Sequence, residues 1–255
     1  MTSLGAHAQR NLNLAARETG EPLTAAEPEV FAALQARLDA LLAGSPSARV
    51  LNAGCGNGRR YVPVFENAVV VGLDVEPGAS EYVDERLVGD IETYDFGQRE
   101  FDAVYCWDVL EHVRDPSRAL RNLVATLRPG GVLIVGLPHA ASVKAVITRL
   151  TPHRVHAWLW RRVLNPKEVS AGPTPFPTVL SQDVKPNAVR QFAQANGLSV
   201  EFYAEYESWT QKKMRMLLRV RGRLFRAIGA LVRALSLGRV TATATDLVIV
   251  LRKPA

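Results

Sequence analysis

The chain has 255 residues, of which 47% are hydrophobic and 22% are charged, enough for one sizeable α/β domain with additions. Its two cysteines, Cys55 and Cys106, argue against a disulfide framework and for a reducing cytoplasm. Because no apolar stretch approaches the roughly 20 residues of a spanning helix and no signal-peptide core follows Met1, we expect neither secretion nor a transmembrane segment.

The N-terminal region divides into an arm and a helix. Residues 1–27 are polar and alanine-rich with little periodicity, so we predict a loosely held arm. From Pro28 to Ala43 leucines recur at helical spacing, which predicts a helix that packs on a sheet. We therefore expect residues 1–47 to form an arm and helix, and residues 48–255 to form the main domain.

The central region alternates strand and helix. Apolar runs predict strands near residues 49–53, 69–74, 86–89, 102–107 and 131–137, and the clearest helix between them is Pro116 to Leu127. Such alternation predicts a Rossmann-like, doubly wound and mostly parallel sheet with right-handed crossovers and helices on both faces. Ligands bind such sheets at the carboxyl ends of the strands.

A glycine-rich loop follows the first predicted strand, at Val50-Leu51-Asn52-Ala53-Gly54-Cys55-Gly56-Asn57-Gly58. Gly54 and Gly56 let the backbone turn sharply and approach a ligand closely. Glycine turns also close ordinary strand–helix connections, so the loop alone does not identify a site. The second strand ends in Asp74, 20 residues after Gly54, a spacing that fits an acid accepting both hydroxyls of a ribose.

Three further motifs follow in chain order: Gly89-Asp90-Ile91, then Phe101 to Val113, then Leu127 to Val135. With the glycine loop and Asp74, these motifs resemble the class I S-adenosylmethionine-dependent methyltransferases, in the branch related to the ubiquinone-biosynthesis methyltransferases, over roughly residues 48–138. A nicotinamide dehydrogenase is the nearest alternative, but it needs a third glycine where this chain has Arg59.

The resemblance implies S-adenosyl-L-methionine as cofactor and assigns its contacts. Gly54 and Gly56 would line its methionine part, Asp74 would hold the ribose hydroxyls, and Val75 would pack on the adenine. The remaining implied contacts are Asp90 to the adenine amino group, the Ile91 backbone N–H to the adenine, Trp107 beside the sulfonium, and Asn52. Asn52 stands where the family usually has an acid, so it brings no charge towards the cofactor's ammonium.

Methyl transfer requires aligned reactants, and a base is needed only when the acceptor is a poor nucleophile such as a hydroxyl. His112 and His139 are the candidate bases, because each lies a few residues beyond the carboxyl end of a core strand. His112 could instead bond backbone or stack on Trp107. Asp108, Glu111 and His112 also resemble a metal-binding variant of the family, but no fourth ligand is evident and we predict no metal site.

After Pro138 the regular pattern breaks, and residues 139–186 are predicted to form a lid over the site. The segment from Thr151 to Arg162 is aromatic and basic, and it supplies His153, Arg154 and Trp158 as candidate substrate residues. A proline-rich stretch follows it. A helix is then predicted over residues 184–196, and strands over 198–206 and 244–252. The resemblance implies that the last strand runs antiparallel.

Residues 208–239 form a basic insertion between the last two strands. From Gln211 to Arg239 there are nine lysines and arginines and no acid. Apolar residues follow one face at helical spacing and the cations follow the opposite face, which predicts one amphipathic helix. The helix either covers the sheet edge with a solvated basic back, or lies on an anionic membrane surface or binds an anionic substrate. A continuous apolar face disfavours nucleic acid.

The sequence therefore predicts an S-adenosylmethionine-dependent methyltransferase that O-methylates a small or amphiphilic acceptor, such as a glycolipid, a prenyl-linked compound or a secondary metabolite. The alternative is a non-catalytic, regulatory S-adenosylmethionine-binding module. A cytoplasmic location is expected, and a peripheral position at the inner membrane face stays open, as does the oligomeric state.

Overall fold

A computed structural model describes residues 23–45, 47–56, 65, 67–78, 83–143, 145–146, 185–217 and 219–255. The strands are β1 Leu23–Ala26, β2 Arg49–Ala53, β3 Val69–Asp74, β4 Glu85–Val88, β5 Phe101–Trp107, β6 Leu127–Pro138, β7 Ser199–Glu207 and β8 Asp246–Arg252. The helices are α1 Glu27–Leu42, α2 Pro116–Ala125, α3 Pro186–Ala195, α4 Trp209–Leu217 and α5 Gly222–Leu235.

The strands form one sheet in the order β1-β7-β8-β6-β5-β2-β3-β4. Strand β8 runs antiparallel to β6 and β7, and the other pairs are parallel. The chain moves outward from β2 to β4 and then returns to the other side of β2 with β5, so the direction of winding changes between β2 and β5. This confirms the predicted Rossmann-like, doubly wound sheet with an antiparallel last strand, and it places a ligand crevice at that reversal.

Each face of the sheet carries its own apolar core, because successive strand residues point to opposite faces. In β5, Val104 and Cys106 join the cluster that includes Leu120 of α2. On the other face, Tyr105 joins the cluster that includes Leu34 of α1. The two cores clamp the sheet between helices and fix the positions of the strand ends.

The observed strand bounds agree with the predicted ones to within two residues, except at β6. That strand begins at Leu127, four residues early, because Leu127 pairs with Phe101 of β5. The helix predicted to reach Leu127 accordingly ends at Ala125.

The predicted N-terminal arm is wrong for its last residues. Strand β1 pairs in parallel with β7, from Leu23 beside Ala204 to Ala26 beside Glu207, and forms one edge of the sheet. The four-residue segment Leu-Thr-Ala-Ala lacks alternation, so its strand conformation depends on backbone hydrogen bonds to β7 rather than on a side-chain pattern.

The basic insertion is two helices and not the single helix that we predicted. Arg219 and Gly222 have φ angles of 57° and 51°, and these left-handed residues turn the chain between α4 and α5. Of the predicted lid, residues 147–184 lie outside the described residues. Over the part of the chain that the structure describes, every helix is too short or too polar to cross a bilayer.

Candidate active site

The candidate site lies where four neighbouring parallel strands end. The glycine loop follows β2, Asp74 ends β3, Asp90 follows β4 and Trp107 ends β5. Because these strands are adjacent and parallel, their carboxyl ends share one edge of the sheet. The structure therefore brings the sequence-predicted cofactor residues to a single edge.

The glycine loop is folded by backbone contacts to β3. The N–H groups of Gly54 and Cys55 both donate to the Leu73 carbonyl, at 2.7 and 3.1 Å. Gly54 has φ +77°, and a Cβ there would stand 2.3 Å from Cγ2 of Val109. The space that a side chain at Gly54 would occupy is therefore filled by Val109, although we expected a ligand there. Gly56 has a left-handed φ of 49°, a conformation that suits glycine.

Asp74 ties the glycine loop to its own loop. Its Oδ2 accepts a hydrogen bond from the Gly56 N–H at 2.7 Å, and its Oδ1 accepts one from the Glu76 N–H at 3.0 Å. An ionised carboxylate offers about four acceptor positions, so two backbone bonds leave capacity for hydroxyl donors. Asp74 can therefore order the loops and also accept a ribose, although the second role was the only one that the sequence indicated.

Arg86 of β4 is a site residue that sequence reasoning missed. Its Nη1 donates to the Gly56 carbonyl at 3.0 Å and its Nη2 donates to the Glu76 carbonyl at 2.6 Å. Asp74 and Arg86 thus hold the same two residues, one through N–H groups and the other through carbonyls. In the sequence, the only indication of this role was a cation inside a short predicted strand. The role becomes evident in the structure, where Arg86 lies beside Gly72 of β3.

The loop after β4 presents Asp90 and keeps Ile91 inside. Asp90 is exposed, and its Oδ1 accepts the Glu92 N–H at 2.8 Å in a local turn. The Ile91 side chain is buried in the core, so only its backbone can face a ligand. Asn122 of α2, a second residue that the sequence did not single out, donates from Nδ2 to the Ile91 carbonyl at 2.9 Å. Val75 is 62% exposed and could pack on an aromatic ligand.

Trp107 is fixed by packing at the end of β5. Its ring lies against Gly136, where an added Cβ would stand 2.3 Å from Cδ2, and it meets Phe31 edge-on at 5.8 Å. Asn52 is buried beside Tyr105 in the neighbouring strand. Burial raises the pKa of the Tyr105 phenol, which therefore stays protonated and neutral at neutral pH.

The loop after β5 carries an unusual backbone and an exposed histidine. Asp108 has φ +52°, and its N–H donates to the Gly136 carbonyl at 3.0 Å. Non-glycine residues in this conformation concentrate at functional sites. His112 is exposed, with Nε2 3.9 Å from Oε1 of the buried Glu111.

His139, the other candidate base, is buried at the end of β6. Its Nδ1 accepts the Ala141 N–H at 3.2 Å, and its Nε2 lies 3.4 Å from Oε1 of Glu205, which also accepts the Tyr203 hydroxyl at 2.5 Å. Burial raises the pKa of Glu205, but hydrogen bonds from His139 and Tyr203 outweigh it, so the pKa lies below its ordinary value. Both ring nitrogens of His139 are thus engaged, in a network that sequence reasoning missed.

The substrate candidates His153, Arg154 and Trp158 lie outside the described residues, as do Asn57 and Gly58 of the glycine loop. Cys55 and Cys106 are free and buried, and burial raises both thiol pKa values. The described acceptors fit a nucleoside cofactor, because Asp74 and Asp90 follow adjacent strands and can accept hydrogen bonds from hydroxyl and amino donors.

The model of a methyltransferase domain family matches residues 27–173. A ubiquinone biosynthesis O-methyltransferase of Xanthomonas oryzae is 34% identical over 173 residues, covering 59% of this chain and 69% of that protein. A protein of the same name from Xanthomonas campestris is 32% identical over 148 residues, covering 49% and 60%. The structure of the N-methyltransferase NodS of Bradyrhizobium japonicum, solved with S-adenosyl-L-homocysteine, superposes on this chain with a TM-score of 0.51 at 14% identity. The superposition covers 98% of this chain and 99% of NodS, and it shows likeness of fold alone.

The family match spans more than half of the chain and includes the glycine loop, Asp74, Asp90 and the loop after β5. The chain therefore belongs to the class I S-adenosylmethionine-dependent methyltransferases, and S-adenosyl-L-methionine is its cofactor.

Proposed function

We propose that the protein O-methylates a hydroxyl of a small amphiphilic acceptor, in the class of glycolipids, prenyl-linked compounds and secondary metabolites. The observation that carries the proposal is the apolar row of α5, with Leu224, Leu231 and Leu235 more than half exposed. This helix follows β7, whose carboxyl end lies at the same sheet edge as Asp74. The names of the relatives, which are O-methyltransferases, support the acceptor atom.

The cofactor contacts are proposed residue by residue. Gly54 and Gly56 shape the loop at the methionine part, with Asn52 beside it, and Asp74 accepts the ribose hydroxyls through the lone pairs that its backbone bonds leave unused. The other proposed contacts are Val75 and the Ile91 backbone N–H to the adenine, Asp90 through Oδ2 to the adenine amino group, and Trp107 beside the sulfonium. Arg86 contributes indirectly, by holding Gly56 and Glu76.

The bound cofactor supplies an electrophilic methyl group, and the chain must align a hydroxyl with it and remove the proton. We propose His112 as the general base, because it is exposed beyond the carboxyl end of β5, the strand beside the glycine-loop strand. His139 is proposed as a positioning residue at the end of β6, since Glu205 and Ala141 engage its two ring nitrogens. His153, Arg154 and Trp158 remain proposed acceptor residues.

A direct test incubates the full chain with S-adenosylmethionine and matched hydroxyl acceptors, with and without a prenyl or acyl chain, and detects the added methyl group by mass spectrometry. Faster turnover of the long-chain acceptors is expected. His112→Ala should lower turnover roughly a hundredfold while cofactor affinity stays unchanged, because a general base acts in the transition state. Unchanged turnover in His112→Ala would contradict the assigned role.

A non-catalytic cofactor-binding module is the alternative to an O-methyltransferase. It predicts binding of S-adenosylmethionine with no methylated product from any acceptor, in the parent as well as in the variants.

An amphiphilic acceptor resides in or at a bilayer, so the proposal includes a peripheral position at an anionic membrane surface.

A further inference from the structure

The two helices between β7 and β8 turn an apolar surface outward. We define the α4–α5 surface by Leu217, Leu224, Ile228, Leu231, Leu235 and Leu237, which are between 37% and 82% exposed. Helix α5 has no buried residue at all. Contiguous exposed apolar side chains of this kind mark an interaction site.

We call Leu224, Ile228, Leu231 and Leu235 of α5 the leucine row. This row is not what attaches the two helices to the fold. Arg215 of α4 forms a two-bond ion pair with Glu207 at the end of β7, at 2.7 and 2.8 Å, and its guanidinium lies 4.0 Å from the ring centre of Phe225. Farther along α5, Gly229 faces Thr243, where an added Cβ would meet Cγ2 at 3.5 Å. Phe225 and Gly229 therefore anchor one side of α5.

The leucine row is separate from these anchoring residues, because its members recur every three or four residues along α5, at Leu224, Ile228, Leu231 and Leu235. This row lies beside the anchored side and faces solvent in the described structure.

The charges around the surface decide what it can bind. Nine cations and no acid lie between Gln211 and Arg239. One of them, Arg215, is neutralised by Glu207, and Lys212 on α4 interacts with Glu27. Most of the others are exposed, including Arg223 and Arg226 on either side of Leu224. Exposed leucines among these cations complement an anionic, partly apolar partner. A bilayer with anionic lipid has both properties.

We infer that the α4–α5 surface docks on an anionic lipid bilayer, with the leucine row at the boundary of headgroups and acyl chains and the cations at the phosphates. Trp209 at the start of α4 is 61% exposed, as suits a residue at a membrane interface. The helices leave β7 at the carboxyl edge of the sheet, so docking would turn the candidate active site towards the lipid. This inference rests on the membrane position included in the proposed function and names the residues that make the contact, and its vesicle test does not depend on methyl transfer.

Cosedimentation of the full chain with vesicles tests the inference without any activity measurement. We expect binding to phosphatidylcholine vesicles that contain about one-third phosphatidylglycerol, little binding to phosphatidylcholine alone, and a decline as salt shortens the screening length. Leu224→Ser/Leu231→Ser should lower the partition coefficient at least about tenfold, because two apolar side chains no longer enter the interface. Arg223→Gln/Arg226→Gln should lower it by about tenfold or more and should flatten the salt dependence.

The matched control is Val69→Ser/Val88→Ser, which removes two exposed valines from β3 and β4, away from the surface. The control should bind as the parent does, and the leucine variant should keep the parent's melting temperature. Absent binding of the parent to anionic vesicles at low salt would overturn the inference.

Two further results would also overturn the inference. If the leucine variant unfolds at a clearly lower temperature and the parent ignores vesicles, another segment of the chain covers the row. If the parent is a dimer in solution that the leucine substitutions dissociate, a second copy covers it. Light scattering and thermal unfolding of the same samples separate these outcomes.

Discussion

Asp74→Asn isolates the part of the site that joins both loops. The carboxylate accepts the Gly56 N–H and the Glu76 N–H, one on each oxygen. An asparagine has one acceptor oxygen, so its NH₂ group must face one of these two N–H donors. At least one charge-assisted hydrogen bond is then lost, and such a bond contributes about 1.5–3 kcal/mol. Because Asp74 is only half-buried, we take the lower end, which corresponds to a cofactor Kd raised about tenfold to thirtyfold.

Calorimetric titration with S-adenosylhomocysteine measures this change, and thermal unfolding of the same samples reports whether the fold persists. Glu76→Gln is the control, because it removes one negative charge from an exposed side chain while Glu76 keeps both backbone bonds, from its N–H to Asp74 and from Arg86 to its carbonyl. Its Kd should stay within about twofold of the parent. Equal losses in the two variants, or a Kd for Asp74→Asn within about threefold of the parent, would refute this reasoning.

Arg86→Met should raise the cofactor Kd about tenfold in the same titration, because it removes two hydrogen bonds. Arg86→Lys should raise the Kd less, because a lysine can keep one of them. An unchanged Kd in Arg86→Met would show that Arg86 does not contribute to cofactor binding. Gly136→Ala should lower the free energy of unfolding in urea by about 1–3 kcal/mol, because its Cβ would collide with the Trp107 ring, and Trp107→Leu in the same chain should restore part of that loss. Glu205 stabilises the fold at pH values above 4.5, the ordinary pKa of its carboxyl, and this stabilisation is lost as the pH falls through its lower pKa in the folded protein. The unfolding free energies of the parent and Glu205→Gln should therefore differ near neutral pH and converge in acid. A difference that does not change with pH would exclude the His139 network as the cause.

Most of the fold follows from short-range patterns in the sequence. The runs that became β2, β3 and β5 are apolar on both faces, as buried parallel strands require, and the alternation with helices then restricts the topology to a doubly wound sheet. The last strand's direction did not come from periodicity, and the family resemblance supplied it. Strand β1 escaped prediction because its conformation depends on β7, which lies far away in the sequence.

The structure brings together the positions that the sequence proposed for the candidate site, and it shows connections between them that the sequence did not indicate. The chain order of Gly54, Gly56, Asp74 and Asp90 indicates a cofactor edge, because parallel strands bring their carboxyl ends together. The sequence could not show that Arg86 reaches Gly56 and Glu76, or that Glu205 engages His139, since each contact joins residues on different elements. It also assigned the room at Gly54 to a ligand, whereas Val109 from another loop fills it.

The sequence by itself determined the alternation of elements, the glycine loop and the concentration of cations in one insertion, because each is a property of neighbouring residues. Only the tertiary structure decided which side of α5 is covered. The helical spacing of Leu224, Phe225, Ile228 and Val232 gives one continuous apolar face, and nothing in that spacing divides it. The division arises because Arg215, held by Glu207, meets Phe225 and leaves the leucine row beside it exposed. Burial depends on what the rest of the chain places against a helix, and that is a property of the fold as a whole.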